Sequence, residues 1–290
     1  MAHYRKHKCV KFCHKAQYRN VETNYMYYAK TKREKHSICN LCRKKKDLSW
    51  DHVPPKGGIE LSAVRMETIF QLMTGDKDKP KPRESQNGMK FRTICSDCNS
   101  LLGTEYDPTM NDFAISVGRY LNSQLQFPGS INHRVKPQRL MKALLGHLIA
   151  AKVDIENTSF DRQAREYVLD IDAPLPANIN IFYWVFPHEC SIAIRDFAMF
   201  TPRGTFDQPA IFQTLKYFPV AYLCCDKAEY AGLQCLSWYR DLDIDDELEI
   251  PINLKRIEHQ FWPEAPSDKD NNIFFGGRSA SNAVQAIPKR

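Results

Sequence analysis

Two Cys-x-x-Cys pairs, Cys39–Cys42 and Cys95–Cys98, frame the residues of this chain best placed to do chemistry. Between the pairs runs Trp50-Asp51-His52-Val53-Pro54-Pro55, and Asn99 follows the last cysteine directly. Four thiolates complete a zinc tetrahedron, and two such pairs supply them. A zinc closed in this way has no open position, so it performs no reaction itself. It can hold Asp51, His52 and Asn99 near one another, and these three have the character of an active site.

The elements that must position them are short. Leu48 to Val53 reads as a strand, stopped by Pro54-Pro55. Lys90 to Ile94 suits a second strand, and Ser96 or Asp97 can cap a helix that begins near Asn99. Between them, residues 60–73 show helical spacing through Leu61, Val64, Ile69, Leu72 and Met73, and residues 75–90 read as an exposed loop. Neighbours on a strand point to opposite faces, so Asp51 and His52 share one site only at a strand end or a bulge.

Strand, loop, strand and helix based on zinc is the ββα-metal arrangement, and here the sequence resembles the HNH nuclease family. The matching residues are Cys39-Asn40-Leu41-Cys42, Asp51-His52-Val53-Pro54 and Cys95-Ser96-Asp97-Cys98-Asn99, within residues 37–103. The resemblance implies His52 as general base, because a neutral imidazole with a pKa near ~6.5 can take a proton from water. It implies Asp51 and Asn99 as oxygen ligands of one catalytic Mg²⁺ or Mn²⁺, beside a structural Zn²⁺ on Cys39, Cys42, Cys95 and Cys98. Three departures stand out. The last motif position, usually His, is Asn99. The middle asparagine usually lies about five residues before the second pair, where this chain has Lys90; the nearest asparagine is Asn87. The 42 residues between His52 and Cys95 are many for this fold.

Charge is uneven along the chain. Residues 1–50 hold 14 Lys and Arg against 3 acids, a net +11 in a chain of net +7, so the remaining 240 residues are net −4. A basic segment beside an acidic body points to a polyanionic partner, and the HNH resemblance implies that it is DNA. The run Arg43, Lys44, Lys45 and Lys46 is the candidate phosphate contact. Trp50 reads as a core residue rather than a stacking platform. Tyr18, Tyr25, Tyr27 and Tyr28 read as packing residues, and His7, Cys9, Cys13 and His14 as unpaired groups rather than a second zinc site.

The whole is expected to be an α+β protein. A basic segment (1–36) precedes the HNH module (37–103), followed by a helical and then β-rich C-terminal domain (104–263) and a flexible tail (264–290). Residues 104–172 look helical. The runs Ile179–Phe186, Ser191–Phe200, Phe218–Cys225 and Leu248–Ile252 look like strands. Nothing in 104–263 names a chemistry; His133, His147, His188 and His259 are scattered. By analogy, such a domain receives an activating protein or signal, as in the HNH effectors of bacterial defence against phage. One HNH centre cuts one strand, so a double-strand break calls for a homo-oligomer or two visits. No apolar run is long enough to span a membrane, and cysteines used for zinc suit a reducing cytoplasm. The competing reading is a zinc-stabilised nucleic-acid-binding or partner-docking protein without catalysis.

Overall fold

The computed structural model describes residues 29–69, 82–124, 128–200, 210–230, 232–254, 262–263, 273–275 and 282–289. The expected roles of His7, Cys9, Cys13, His14 and the four N-terminal tyrosines lie outside these residues. The fold mixes helices and sheets, as expected. In the first part, β1 (His36–Ile38) pairs with β2 (Lys45–His52); β3 (Val64–Thr68), β4 (Arg83–Ser85) and β5 (Lys90–Cys95) follow. Strands β1, β2 and β5 form a three-stranded antiparallel sheet in that order. Helix α1 (Ser96–Leu101) starts directly after β5, with Cys95 rather than Ser96 or Asp97 at the cap position and no side-chain cap bond. A π-helical turn, Leu102–Tyr106, joins α1 to α2 (Asp107–Leu121).

Next come β6 (Ser130–Val135), α3 (Pro137–Ala150) and α4 (Ser159–Leu169). The β-rich part holds β7 (Asn180–Val185), β8 (Ser191–Phe200), β9 (Ala210–Tyr217), β10 (Val220–Cys225), β11 (Gln234–Cys235), β12 (Leu248–Asn253), β13 (Ile273–Phe275) and β14 (Ala283–Pro288). Nine strands form one antiparallel sheet in the order β11-β7-β10-β9-β8-β14-β3-β4, with β13 also on β8. Strands β6 and β12 pair separately. Every residue of β7 and β10 is buried, so these strands are covered on both faces. Tyr183, Val185, Tyr222 and Cys224 join the core shared with the helices, while Phe182, Trp184, Leu223 and Cys225 pack in a second cluster.

Two expectations are corrected. Residues 64–68 form a strand, not part of a helix. Val64, Met66 and Thr68 are buried in alternation and β3 pairs with β14, a period-2 pattern hidden by the neighbouring apolar positions. Residues 283–288, read as flexible tail, form β14 inside the sheet between β8 and β3. The polar composition of 264–290 masked the short run Ala283-Val284-Gln285-Ala286, all of it buried. Through β3 and β4, the segment 37–103 contributes strands to the large sheet. Residue 103 lies inside the π-helical turn, and one buried cluster runs from Ala29 through Cys39, Cys95 and Cys98 to Ala286, with the half-buried Cys42 packed against it.

Helix α3 is the axle of this core. Leu140, Leu144, Leu145, Leu148 and Ile149 are all buried, as the spacing suggested, but so are Gln138, Lys142 and His147. Lys142 Nζ donates to the carbonyls of Tyr167, Asp170 and Ala173 (2.5, 2.8 and 3.3 Å), closing the C-terminal end of α4. Gly146 admits Leu102 against the helix: a Cβ there would lie 2.4 Å from Leu102 Cδ2.

Candidate active site and metal centre

The Sγ atoms of Cys39, Cys42, Cys95 and Cys98 all lie within 4.8 Å of one another. Zinc–sulfur bonds of ~2.3 Å put thiolates of a tetrahedron about 3.8 Å apart, and Cys42 and Cys95 stand at 3.8 Å. The donor set and spacing fit zinc. The first knuckle closes through backbone bonds from Arg43 N to Cys39 O (3.0 Å) and Cys39 N to Lys44 O (2.9 Å), with Arg43 at a positive φ of 59°. The Cys95 amide donates to Cys39 Sγ at 3.2 Å. A hydrogen bond from Cys98, then the backbone amides of Cys42, Cys95 and Leu41, outweigh burial and hold the Cys39 thiol near 4, in the thiolate form a metal needs.

This knuckle is docked on the end of α3. Asn40 Nδ2 donates to the carbonyls of Ile149 (3.0 Å) and Lys152 (2.6 Å), and Thr93 Oγ1 to that of Ala150 (2.5 Å). Arg33 Nη2 fixes the other end of the Asn40 amide, 2.8 Å from Oδ1. Carbonyls that a helix end leaves open are thus satisfied by the segment carrying the cysteines. Of the basic run, Lys46 pairs with Asp97 (2.6 Å) and Arg43 Nη2 reaches Ile155 O (3.4 Å), while Lys44 and Lys45 are exposed.

Asp51 and His52 sit at the end of β2, beside an irregularity. The β2–β5 register shifts between Ser49 and Asp51, so Trp50 stands opposite both Arg92 and Thr93. The shift does not bring both site residues to one face. Asp51 pairs with buried Phe91 and is itself buried, whereas His52 pairs with Lys90 on the half-open side. The carboxylate of Asp51 lies 3.1 Å from His147 Nδ1, and His147 Nε2 lies 2.8 Å from Asp107 Oδ1 at the start of α2. Burial pushes His147 down, but Asp107 and Asp51 outweigh it and raise it to about 10. A buried imidazolium between two carboxylates therefore ties β2, α2 and α3 together. Sequence reasoning passed over His147 as scattered; a histidine within the apolar run Leu144-Leu145-Gly146-His147-Leu148 was its signal.

The imidazole of His52 is differently placed. Its ring takes a hydrogen bond to the Asn87 backbone, whose effect is to favour the protonated ring nitrogen. Its Nε2 is buried with no hydrogen-bond partner, so Nδ1 is the nitrogen that serves Asn87. Burial first, then the charges of Lys90 and Lys56, lower its pKa against the opposing pull of Asp51. The neutral ring is thereby favoured, and Nε2 has no partner. Asn99 Nδ2 donates to Trp50 O (3.0 Å) and Ser49 Oγ (3.3 Å), tying α1 to the irregular stretch of β2.

Nothing among the described residues supports a hard-cation site as the four cysteines support zinc. One Asp51 oxygen is committed to His147 in the interior, and the Asn99 amide nitrogen to Trp50. Among the described residues, the four cysteines are the cluster of three or more metal-binding side chains. No described helix is long and apolar enough to cross a membrane. No known family pattern, curated protein or solved structure matches this chain.

Proposed function

We propose that this protein is an endonuclease of the HNH kind that hydrolyses DNA phosphodiester bonds, with His52 as its general base. The observation that carries the reading is the His52 ring. One nitrogen is fixed by the Asn87 backbone and the other, Nε2, is left without a partner. A base needs this arrangement, a held ring with one free lone pair. In the reaction, DNA binding must first uncover the buried Nε2 to a water; Nε2 then takes a proton from that water as its oxygen attacks phosphorus. The bond from phosphorus to the 3′-oxygen then breaks, and the leaving oxygen regains a proton. The zinc on Cys39, Cys42, Cys95 and Cys98 supplies structure only. Dependence on Mg²⁺ or Mn²⁺ is part of the proposal.

A second reading, a zinc-stabilised DNA-binding protein without catalysis, is favoured by the internal commitments of Asp51 and Asn99. Incubating supercoiled plasmid with the purified chain and added Mg²⁺ or Mn²⁺ separates the two. The nuclease reading predicts nicked circles that appear only with the added cation. Plasmid that stays supercoiled while shifting in a gel supports the binder instead.

A further inference from the structure

The open face of the paired strands β2 and β5 carries a group that the HNH resemblance does not use. Trp50 is 38 % exposed, in contrast to its expected place in the core. Its ring centroid lies 5.7 Å from Lys90 Nζ and 5.5 Å from Arg92 Cζ. Arg92 is pinned in turn, its Nε and Nη2 donating to Arg33 O at 3.2 and 2.6 Å. Among the described residues, no carboxylate pairs with Lys90 or Arg92. Lys90 is the direct cross-strand partner of His52, and Trp50 precedes His52 by two residues, about 7 Å along a strand. An indole held among unneutralised cations offers a flat ring and positive charge together, and a polyanion with exposed π-faces fits both.

We propose that Trp50, Lys90 and Arg92 form a binding site for single-stranded nucleic acid, in which one unpaired base stacks on the Trp50 ring and the two cations hold its phosphates. A duplex fits poorly, because each base face is already covered by its neighbours and the indole would meet only edges and backbone. A protein partner would have to bury the ring and set acidic groups against Lys90 and Arg92, and would give no oligonucleotide binding that depends on Trp50. The site deepens the nuclease reading by naming the strand presented to His52, yet it requires binding only.

The test uses the full chain, fluorescently labelled oligonucleotides of one sequence as single strand and as duplex, and anisotropy with no divalent cation added. The native protein is expected to bind the single strand more tightly. Stacking on an aromatic side chain is worth ~1–3 kcal/mol per base, so Trp50→Ala is expected to weaken single-strand binding about 5- to 150-fold. It should leave duplex binding within about twofold. Trp50→Phe should restore part of the loss, and Lys90→Gln should reduce the slope of log affinity against log salt by about 0.7. Zinc content and circular dichroism check that each variant is folded. Should Trp50→Ala fail to fold, Trp50→Phe and Lys90→Gln decide the matter alone. Equal single-strand binding by the folded variants, or equal losses on single strand and duplex, would overturn the proposal. A chain that binds single strands through Trp50 but cuts nothing removes the nuclease reading and keeps this one. A chain that nicks plasmid while Trp50→Ala binds normally does the reverse.

Discussion

At the scale of single residues, two neighbours on one strand have opposite duties. Asp51 faces inward and balances His147, which also meets Asp107. His52 is half-buried, and its Nε2 is enclosed without a hydrogen-bond partner. Removing one partner of a buried ion pair leaves an uncompensated charge and costs about 3–5 kcal/mol. Asp51→Ala is therefore expected to lower the unfolding free energy in urea by that amount, and His52→Ala by less than ~1 kcal/mol. Similar losses in the two variants would show that Asp51 is not an anchor. The Asp51-His52 pair stood out in the sequence, but the inward turn of the carboxylate did not. Its partner His147 lies 96 residues away, and only the folded chain brings them together. Trp50 was misjudged for a related reason: whether a strand tryptophan is covered depends on the register shift beside it, which no local pattern announces.

At the scale of elements, the β1–β2 turn, the end of β5 and α1 meet at a four-cysteine cluster that fits zinc, and α3 is joined to them by close packing. Strands β2 and β5 and the start of α1 were readable within a few residues, because prolines, β-rich runs and the cysteine pairs mark their ends. Strand β3 was not, since its alternation lies inside a stretch that also satisfies helical spacing, and its partner β14 comes more than 200 residues later. The zinc joint predicts that Cys98→Ser lowers zinc below one per chain and loosens the paired strands β2 and β5, measured by metal analysis and by protease resistance of residues 37–103. Full zinc occupancy with native resistance would contradict the joint. The packing joint predicts a coupled pair. Gly146→Ala alone is expected to cost about 1–3 kcal/mol by overpacking against Leu102. In a Leu102→Ala background, where the clashing Cδ2 is gone, most of that cost should vanish. Additive losses across this double-mutant cycle would mean the two do not meet.

At the scale of the whole molecule, a buried charge network spans the helical and β-rich parts. Arg195 on β8 is fully buried and bonds Asp161 on α4 (2.5 Å), Gln213 on β9 (2.8 Å) and the Leu148 carbonyl of α3. Lys152 reaches Asp161 (2.7 Å) and Asp196 (2.6 Å). Burial alone would push the Asp161 carboxyl up, but Arg195 and Lys152 outweigh it and hold it well below the usual carboxylate range. A depressed carboxyl stabilises the fold above its unfolded pKa, near ~3.9, and that stability is lost as pH falls through the folded value. Asp161→Asn is thus expected to be less stable than the native chain at pH 7, with the gap in urea midpoint narrowing below about pH 4. A gap that stays constant with pH would show that Asp161 is not the ionised partner. Such a network leaves no trace in sequence, because its members are distributed from Lys152 to Gln213 and none sits in a motif.

The central claim, that the zinc-held strand pair presents His52 as the base of a DNA-cutting site, is tested most directly by plasmid nicking with the native chain and with His52→Ala side by side. Both proteins should first be shown to hold one zinc and to bind DNA equally. The account predicts cation-dependent nicking by the native chain and a loss of at least about 100-fold in the variant, the low end of a general base's contribution. Nicking at the same rate by His52→Ala, with zinc and binding intact, would contradict it.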